Sequence, residues 1–318
     1  MSSSKEMRFT ATDTSIETVI AFDDIYGISL RRIDDESCYI LDIYTYGFEK
    51  IVQKNCCGCS KRARLRKRVF RQTTLVTSEE SMANEYSNRI QYALNELTYK
   101  EDSAPPNPKY LVLLNPFGGA GAARRNWSLI EPMFKVAAIE YELRETQYAG
   151  HAGDIVREQI TPGQWDVIVT VSGDGLIHEI INGLMQRSDW DKEVEVAGRG
   201  TVKFKDIITI GAIPGGTGNG LVKSLLHRGG EEYGIEPAAF RVLKNRAIPV
   251  DLTELTLEYQ PDQKVYSFLS FAWSIFADID IGSEAIRCCG PTRFTLWGVL
   301  RTLIMRDYHG SLRYEGED

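Results

Sequence analysis

The chain has 318 residues, 43% of them hydrophobic and 25% charged, with a formal net charge of −7. That length favours two or three domains over one. The composition excludes disorder, collagen-like repeats and coiled coil as the main architecture. The acidic balance also argues against polyanion binding by bulk charge, so no nucleic-acid partner is expected. Of six cysteines, at 38, 56, 57, 59, 288 and 289, all but Cys38 sit in an adjacent pair or a cluster rather than in a disulfide framework, which fits a reducing, cytoplasmic setting. Met1 is followed by neither glycine nor an apolar core, so neither myristoylation nor a secretory signal is expected. The most apolar stretch, Phe268 to Ile279, contains Ser270, Ser274 and Asp278 and falls short of the roughly 20 residues a membrane span needs.

In chain order, residues 1–104 come first. Arg31–Ile33, Cys38–Tyr44 and Val69–Val76 are rich in β-branched and aromatic residues, as short strands are. From Ser78 the spacing turns helical, with Met82, Tyr86, Ile90, Ala93, Leu94 and Leu97 three or four apart. Several strands closed by one amphipathic helix suggest a small pleckstrin-homology-like barrel. Glu101–Pro108 is a linker by composition, since its prolines stop the helix.

Strand and helix then alternate over residues 105–246. Tyr110–Leu114 and Asp166–Val171 are continuous apolar runs, which predict buried parallel strands. Ile139–Arg144 and Ile207–Ile213 are further strands. Helices are predicted around Trp127–Phe134, over His151–Gln159 and Leu176–Met185, and from about Asn219. This alternation predicts an open α/β sheet. From residue 247 the pattern becomes β-rich: Val250–Leu257 alternates apolar and polar, and Val265–Ile275 reads as a second strand.

Three glycine-rich loops follow three of these strands: Asn115-Pro116-Phe117-Gly118-Gly119-Ala120-Gly121, Ser172-Gly173-Asp174-Gly175, and Pro214-Gly215-Gly216-Thr217-Gly218-Asn219-Gly220. Ligands of open α/β sheets bind beyond the carboxyl ends of the strands. Glycines there let backbone N–H groups approach phosphate oxygens, and each following helix adds partial positive charge. One such loop is weak evidence; three in one domain point to a phosphate site. Neither the dinucleotide fingerprint nor the Walker loop fits the spacing.

Asn-Pro-x-Gly-Gly, then Ser-Gly-Asp-Gly-x-x-His-Glu-x-x-Asn-Gly, then Pro-Gly-Gly-Thr-Gly-Asn resembles the diacylglycerol-kinase-type catalytic domain of lipid kinases. Within that superfamily, Phe268–Trp273, Ala277–Asp280, Ser283-Glu284 and Arg293–Leu296 resemble the sphingosine kinases. The resemblance runs from about Tyr110 to Tyr314. It implies an α/β nucleotide-binding domain followed by a β-sandwich lipid domain, and transfer of phosphate from ATP, with Mg2+, to the primary hydroxyl of a sphingoid base. A ceramide or diacylglycerol kinase is the alternative within the class, and an inactive membrane-binding regulatory form the alternative outside it.

By matched position, Asp174 takes the catalytic acid's place. Asn115, Pro116, Phe117, Gly118, Gly119, Thr146, Gly150, Ser172, Gly173, Gly175, Glu179, Gly216, Thr217, Gly218, Arg287 and Arg293 take nucleotide-contacting places. Asp280 takes that of the carboxylate holding the lipid head group; Asp278 stands beside it and Ser270 lines the pocket. The metal ligands are not implied. Read without the resemblance, Asp174 could cap the helix starting at Leu176, although an Asp between two glycines at a strand end is poorly explained by capping alone; Arg287 and Arg293 could be surface charges, and His178 is structural. Asp278 and Asp280, two apart on an expected strand, would face one side. Ala120 and Ala122 stand where the family often has lysines. The family also continues past residue 318 with an acidic-glycine segment that returns to the nucleotide site, so ATP binding with little lipid phosphorylation is expected of these residues alone.

Cys56-Cys57-Gly58-Cys59 precedes the basic run Lys61–Arg68. The run reads as a solvated loop or as a site of attraction to an anionic membrane surface, at about 1 kcal/mol per basic residue. The cysteines could carry palmitate, and a zinc site is disfavoured because no second pair follows.

Overall fold

Strand β1 (Glu6–Thr10) pairs antiparallel with β2 (Glu17–Ala21). The computed structural model describes residues 6–10, 17–33, 38–48, 67–94, 108–196, 200–290 and 292–310. The chain divides into two compact units, Met1–Val250 and Asp251–Asp318. The expected linker at 101–107, the cysteines at 56, 57 and 59 and basic residues 61–66 lie outside the described residues.

In the first unit, β3 (Ile25–Ile33), β4 (Cys38–Phe48) and β5 (Arg68–Thr77) form an antiparallel sheet with β4 at its centre. Helix α1 (Glu80–Leu94) closes one face, where Ile90 packs with Ile25, Ile28, Leu41 and Ile43. Ala83, Ile90 and Tyr92 are the helix's buried residues, whereas Met82 and Tyr86, expected in the core, are exposed. Ile90 and Leu94 of the expected stripe do pack on the sheet, which covers that part of the stripe but not Met82 and Tyr86.

The α/β part runs β6 (Lys109–Leu114), α2 (Ala122–Val136), β7 (Glu140–Glu145), α3 (His151–Asp154, continued by a π-helical turn over Ile155–Gln159), β8 (Val167–Ser172) and α4 (Asp174–Met185). A hairpin of β9 (Glu193–Val196) and β10 (Gly200–Lys203) precedes β11 (Thr209–Pro214), α5 (Gly220–Arg228) and α6 (Ile235–Lys244). The sheet is parallel throughout, in the order β11-β8-β6-β7. The open α/β sheet is therefore as the alternation predicts. Both central strands are buried on two faces, which is why they read as unbroken apolar runs. Val112 and Leu114 of β6 face Trp127, Ile130 and Phe134, while Leu111 and Leu113 face Ile155, Ile180 and Phe204.

The antiparallel sheet is locked to this core by buried charge. Arg68, at the start of β5, donates from Nε to Glu231 Oε2 at 2.9 Å and from Nη1 to Asp24 Oδ1 at 3.2 Å. Its guanidinium lies over Phe48 at 3.9 Å and Phe240 at 4.3 Å, and Arg241 also pairs with Glu231. Arg68 is thus not the last residue of an exposed basic run. At the end of α6, Lys244 Nζ donates to the carbonyls of Phe22 and Ile25, at 3.0 and 3.2 Å. A β-carbon on Gly27 of β3 would collide with the Val136 carbonyl, so the backbones meet there.

The second unit is a hairpin and two helices. Strands β12 (Thr253–Leu257) and β13 (Gln260–Ser267) pair antiparallel. They are followed by α7 (Ile275–Ser283), a turn over Glu284–Cys289 and α8 (Thr292–Leu303). The strand expected to reach Ile275 stops at Ser267, and Asp278 and Asp280 are helical. Periodicity does not separate a short apolar strand from a buried helix. Packing does: Gly282 of α7 lies against the indole of Trp297 of α8, leaving no room for a side chain.

Removing one partner of a buried ion pair strands the other charge, at a cost of about 3 kcal/mol. Glu231→Gln should lower folding stability by that order in urea titration. A change below about 1 kcal/mol would mean that the ring contacts and Asp24 hold Arg68 without it.

Candidate nucleotide and lipid site

The three loops converge because β6, β8 and β11 are neighbours whose carboxyl ends align. In the first loop, Asn115 Oδ1 accepts the Phe117 N–H at 3.0 Å, an Asx turn that throws Phe117 into solvent. Pro116 and Gly119 belong to the same turn, and Gly121 (φ 76°) starts α2 in a conformation that favours glycine. Gly118 packs towards Ser172 of the second loop; a β-carbon there would lie 3.3 Å from Ser172 Oγ. Thr146 is buried beside Asn115, its N–H donating to the Leu114 carbonyl at 2.8 Å.

The second and third loops touch backbone to backbone. A β-carbon on Gly173 would stand 2.5 Å from the Gly218 carbonyl oxygen, and one on Gly216 would overlap Gly173 itself. Gly215 N–H donates to the Ser172 carbonyl at 2.9 Å, and Asp174 N–H to the Gly218 carbonyl at 3.2 Å. Asn219 closes the third loop on itself through Gly216, accepting at 3.3 Å and donating at 2.8 Å. Thr217 and Gly218 at its tip are exposed.

Asp174 occupies the junction. Its Oδ2 accepts the Gly220 N–H at 2.6 Å and its Oδ1 the Leu221 N–H at 3.1 Å. It therefore caps α5 across the loops, not the helix it begins, whose own cap position is Gly173 without a side-chain bond. A carboxylate has about four acceptor sites, so both oxygens can still accept from a ligand. Tyr233 stands near it, its phenol pushed up by burial and by the Asp174 charge.

Glu179 Oε2 accepts the Ala152 N–H at 3.2 Å, tying α4 to the start of α3. Gly150 (φ 90°) precedes α3 and opens onto free space, as Gly175 does at the start of α4. His178 lies on the exposed face of α4, where Asn182 donates to its carbonyl at 2.9 Å. Sequence reasoning missed the fork between Arg124 and Glu145, two bonds of 2.7 Å beside the first loop. It also missed the role of Asn219, although an asparagine between glycines is itself a turn signal.

Five of the expected residues belong to the second unit. Asp278 Oδ2 accepts the Tyr308 hydroxyl at 2.5 Å and pairs with Arg301 at 2.9 Å and Arg306 at 3.6 Å. The Tyr308 bond, and then the two arginines, hold its carboxyl below the usual carboxylate range. Asp280 is exposed, and its carboxylate has no partner among the described residues. The two do not share a face, because residues two apart on a helix diverge by about 200°. Arg293 is buried, paired with Glu284 and lying 4.5 Å over Phe294. The Arg287 side chain lies outside what is described. Ser270 is exposed, beyond the end of β13.

Residues 109–255 match the family model of the diacylglycerol kinase catalytic domain. That stretch, just under half of the chain, takes in the whole α/β part from β6 to α6. Its curated relatives include sphingosine kinase 1 of Arabidopsis thaliana, 37% identical over 65% of this chain and 39% of that protein. Sphingosine kinase 2 of Homo sapiens is 33% identical over 89% of this chain and 42% of its own. Sphingosine kinase 1 of Homo sapiens is 36% identical over 66% of this chain and 52% of its own. The chain thus spans about half or less of the length of these relatives.

The two glycines flanking Asp174 differ in what surrounds them. Gly173→Ala should cost about 1–3 kcal/mol in urea unfolding, because the added methyl meets the third loop. Gly175→Ala, on a helix with open space, should be neutral or stabilising by up to about 1 kcal/mol. Equal effects at the two positions would remove the argument that backbone contact dictates Gly173.

Proposed function

We propose that this chain is the catalytic part of an ATP-dependent lipid kinase that phosphorylates the primary hydroxyl of sphingosine or a related sphingoid base. The observation that carries the proposal is the Asp174 carboxylate that joins the second and third glycine loops, with the first loop packed against Ser172. The sphingosine kinase relatives support the substrate class. ATP would supply the phosphoryl group, held by Asn115 to Gly119, Thr146, Gly150, Ser172, Gly173, Gly175, Glu179 and Gly216 to Gly218. The open space at Gly150 and Gly175 suits a bulky anion close to the backbone.

Asp174 orients the substrate hydroxyl and accepts its proton. Its carboxylate is held in place by two amides of α5. A loose phosphoryl-transfer transition state needs little early proton removal, so a carboxylate that accepts the proton late suffices. Among the described residues no group of three or more His, Cys, Asp or Glu is placed to hold a metal. Magnesium carried largely by the nucleotide's phosphates needs only one or two protein carboxylates.

Asp280 would pair with the ammonium of the sphingoid base, with Ser270 lining the same pocket. Its unpaired carboxylate favours a cationic amine over ceramide or diacylglycerol, which carry none. Asp278, already held by Tyr308 and two arginines, fits a supporting role. We also propose a domain division at 1–104, 105–246 and 247–318. The first would be a pleckstrin-homology-like module and the last part of a β-sandwich lipid domain. No helix among the described residues is long and apolar enough to cross a membrane. Peripheral attachment through Lys61–Lys67 is proposed instead, in a cytoplasmic setting.

Transfer of labelled phosphate from ATP to sphingosine, ceramide and diacylglycerol tests the proposal, in the chain extended by a relative's C-terminal segment. Sphingosine should be labelled first. Asp174→Asn should lower kcat more than tenfold, a loss above about 1.4 kcal/mol. Asp280→Asn should raise the KM for lipid more than that for ATP. Labelling of ceramide alone would reject the amine reading.

Attachment through the basic run should fade with salt, since exposed charges are screened over about 8–10 Å at physiological ionic strength. Flotation with phosphatidylserine vesicles measures it; binding that ignores salt would leave the run a solvated loop.

A further inference from the structure

We propose that Tyr148 is the platform on which the purine base of the nucleotide stacks. This deepens the nucleotide site proposed above and rests on it. The turn that carries Tyr148 begins at Thr146, whose N–H is bonded to the last carbonyl of β6, beside Asn115. It ends at Gly150, where the chain adopts φ 90° and a β-carbon would meet nothing within 4 Å. Tyr148 lies midway and is 56% exposed.

An exposed ring on a turn is usually free to move, but this one is held. Its hydroxyl donates to Asp154 Oδ2 at 2.9 Å. One face lies on the His151 imidazole, with centroids 4.5 Å apart and planes at 28°. The imidazole is fixed in turn, because His151 Nδ1 accepts the Gln147 N–H at 3.0 Å. The hydroxyl end and one face are thus committed, and over half of the side chain remains in water. A ring ordered before the ligand arrives loses little freedom on binding. A flat heterocycle laid on the open side extends a stack already two rings deep, at aromatic spacing.

The charge state agrees. The hydrogen bond to Asp154 pushes the phenol above its ordinary range, so the ring is neutral near pH 7 and does not repel phosphate. Stacking uses the π-face that every base has, so ATP and GTP should bind with similar affinity. A polyphosphate without a base gains nothing from the ring. A ring serving only to pack the start of α3 would be indifferent to the base.

Calorimetry on the 318-residue chain separates these roles, with ADP and inorganic tripolyphosphate as probes of the parent, Tyr148→Ala and Tyr148→Phe. The alanine variant should bind ADP about tenfold more weakly, the scale of one base–aromatic stack. Its tripolyphosphate affinity should be unchanged. Tyr148→Phe keeps the ring and should stay within about threefold of the parent. Unchanged ADP binding by Tyr148→Ala overturns the platform and leaves the nucleotide site intact. So does an equal loss of both ligands, which would mark a damaged turn. A parent chain that binds neither ligand rejects the nucleotide site itself, and the platform falls with it.

Discussion

The Asp174 carboxylate resting on the first amides of α5 is the contact around which the α/β unit organises its ligand face. The N-terminus of a helix leaves N–H groups unsatisfied, and here a side chain from a neighbouring strand–helix junction satisfies two of them. The second and third loops are thereby drawn into backbone contact, which only glycine permits at 173 and 216. The pairing of β8 with β11 sets their spacing, and β6 brings the first loop alongside. One carboxylate thus cross-links two loops while retaining acceptor capacity for a ligand.

That arrangement constrains how the Gly-Asp-Gly motif works. Had Asp174 capped its own helix, its orientation would depend on α4 alone. Because it caps α5, any motion of the third loop moves the carboxylate with it. The position of the third loop and that of the carboxylate are then coupled. The Asn219 side chain supports this by closing the third loop on itself before α5 begins.

Away from the loops, burial decides which charges remain available. Arg68 looks like one more member of a basic run, yet it lies under Phe48 and Phe240 and is paired with Glu231. Asp278 and Asp280 look equivalent, yet one is bound by Tyr308, Arg301 and Arg306 while the carboxylate of the other has no partner among the described residues. A charge already held by partners is poorly suited to capture a ligand, because those bonds must first be broken.

Local chemistry determined much of this protein. Four parallel strands, their helices and the three loops are legible in the sequence. Doubly buried strands require unbroken apolar runs such as Tyr110–Leu114. Backbone that approaches backbone or anion requires glycine. The sphingoid reading was likewise legible, in motifs rather than in periodicity. Tertiary structure alone decided the rest. Helix α7 replaced an expected strand because Gly282 lets it dock on Trp297, a contact between residues that no window of neighbouring positions contains. Met82 and Tyr86 are left exposed although Ile90 and Leu94 of the same helical stripe pack on the sheet, which covers only part of that stripe. Asp174 found its amides at Gly220 and Leu221, more than forty positions away, a distance bridged only by the pairing of β8 with β11.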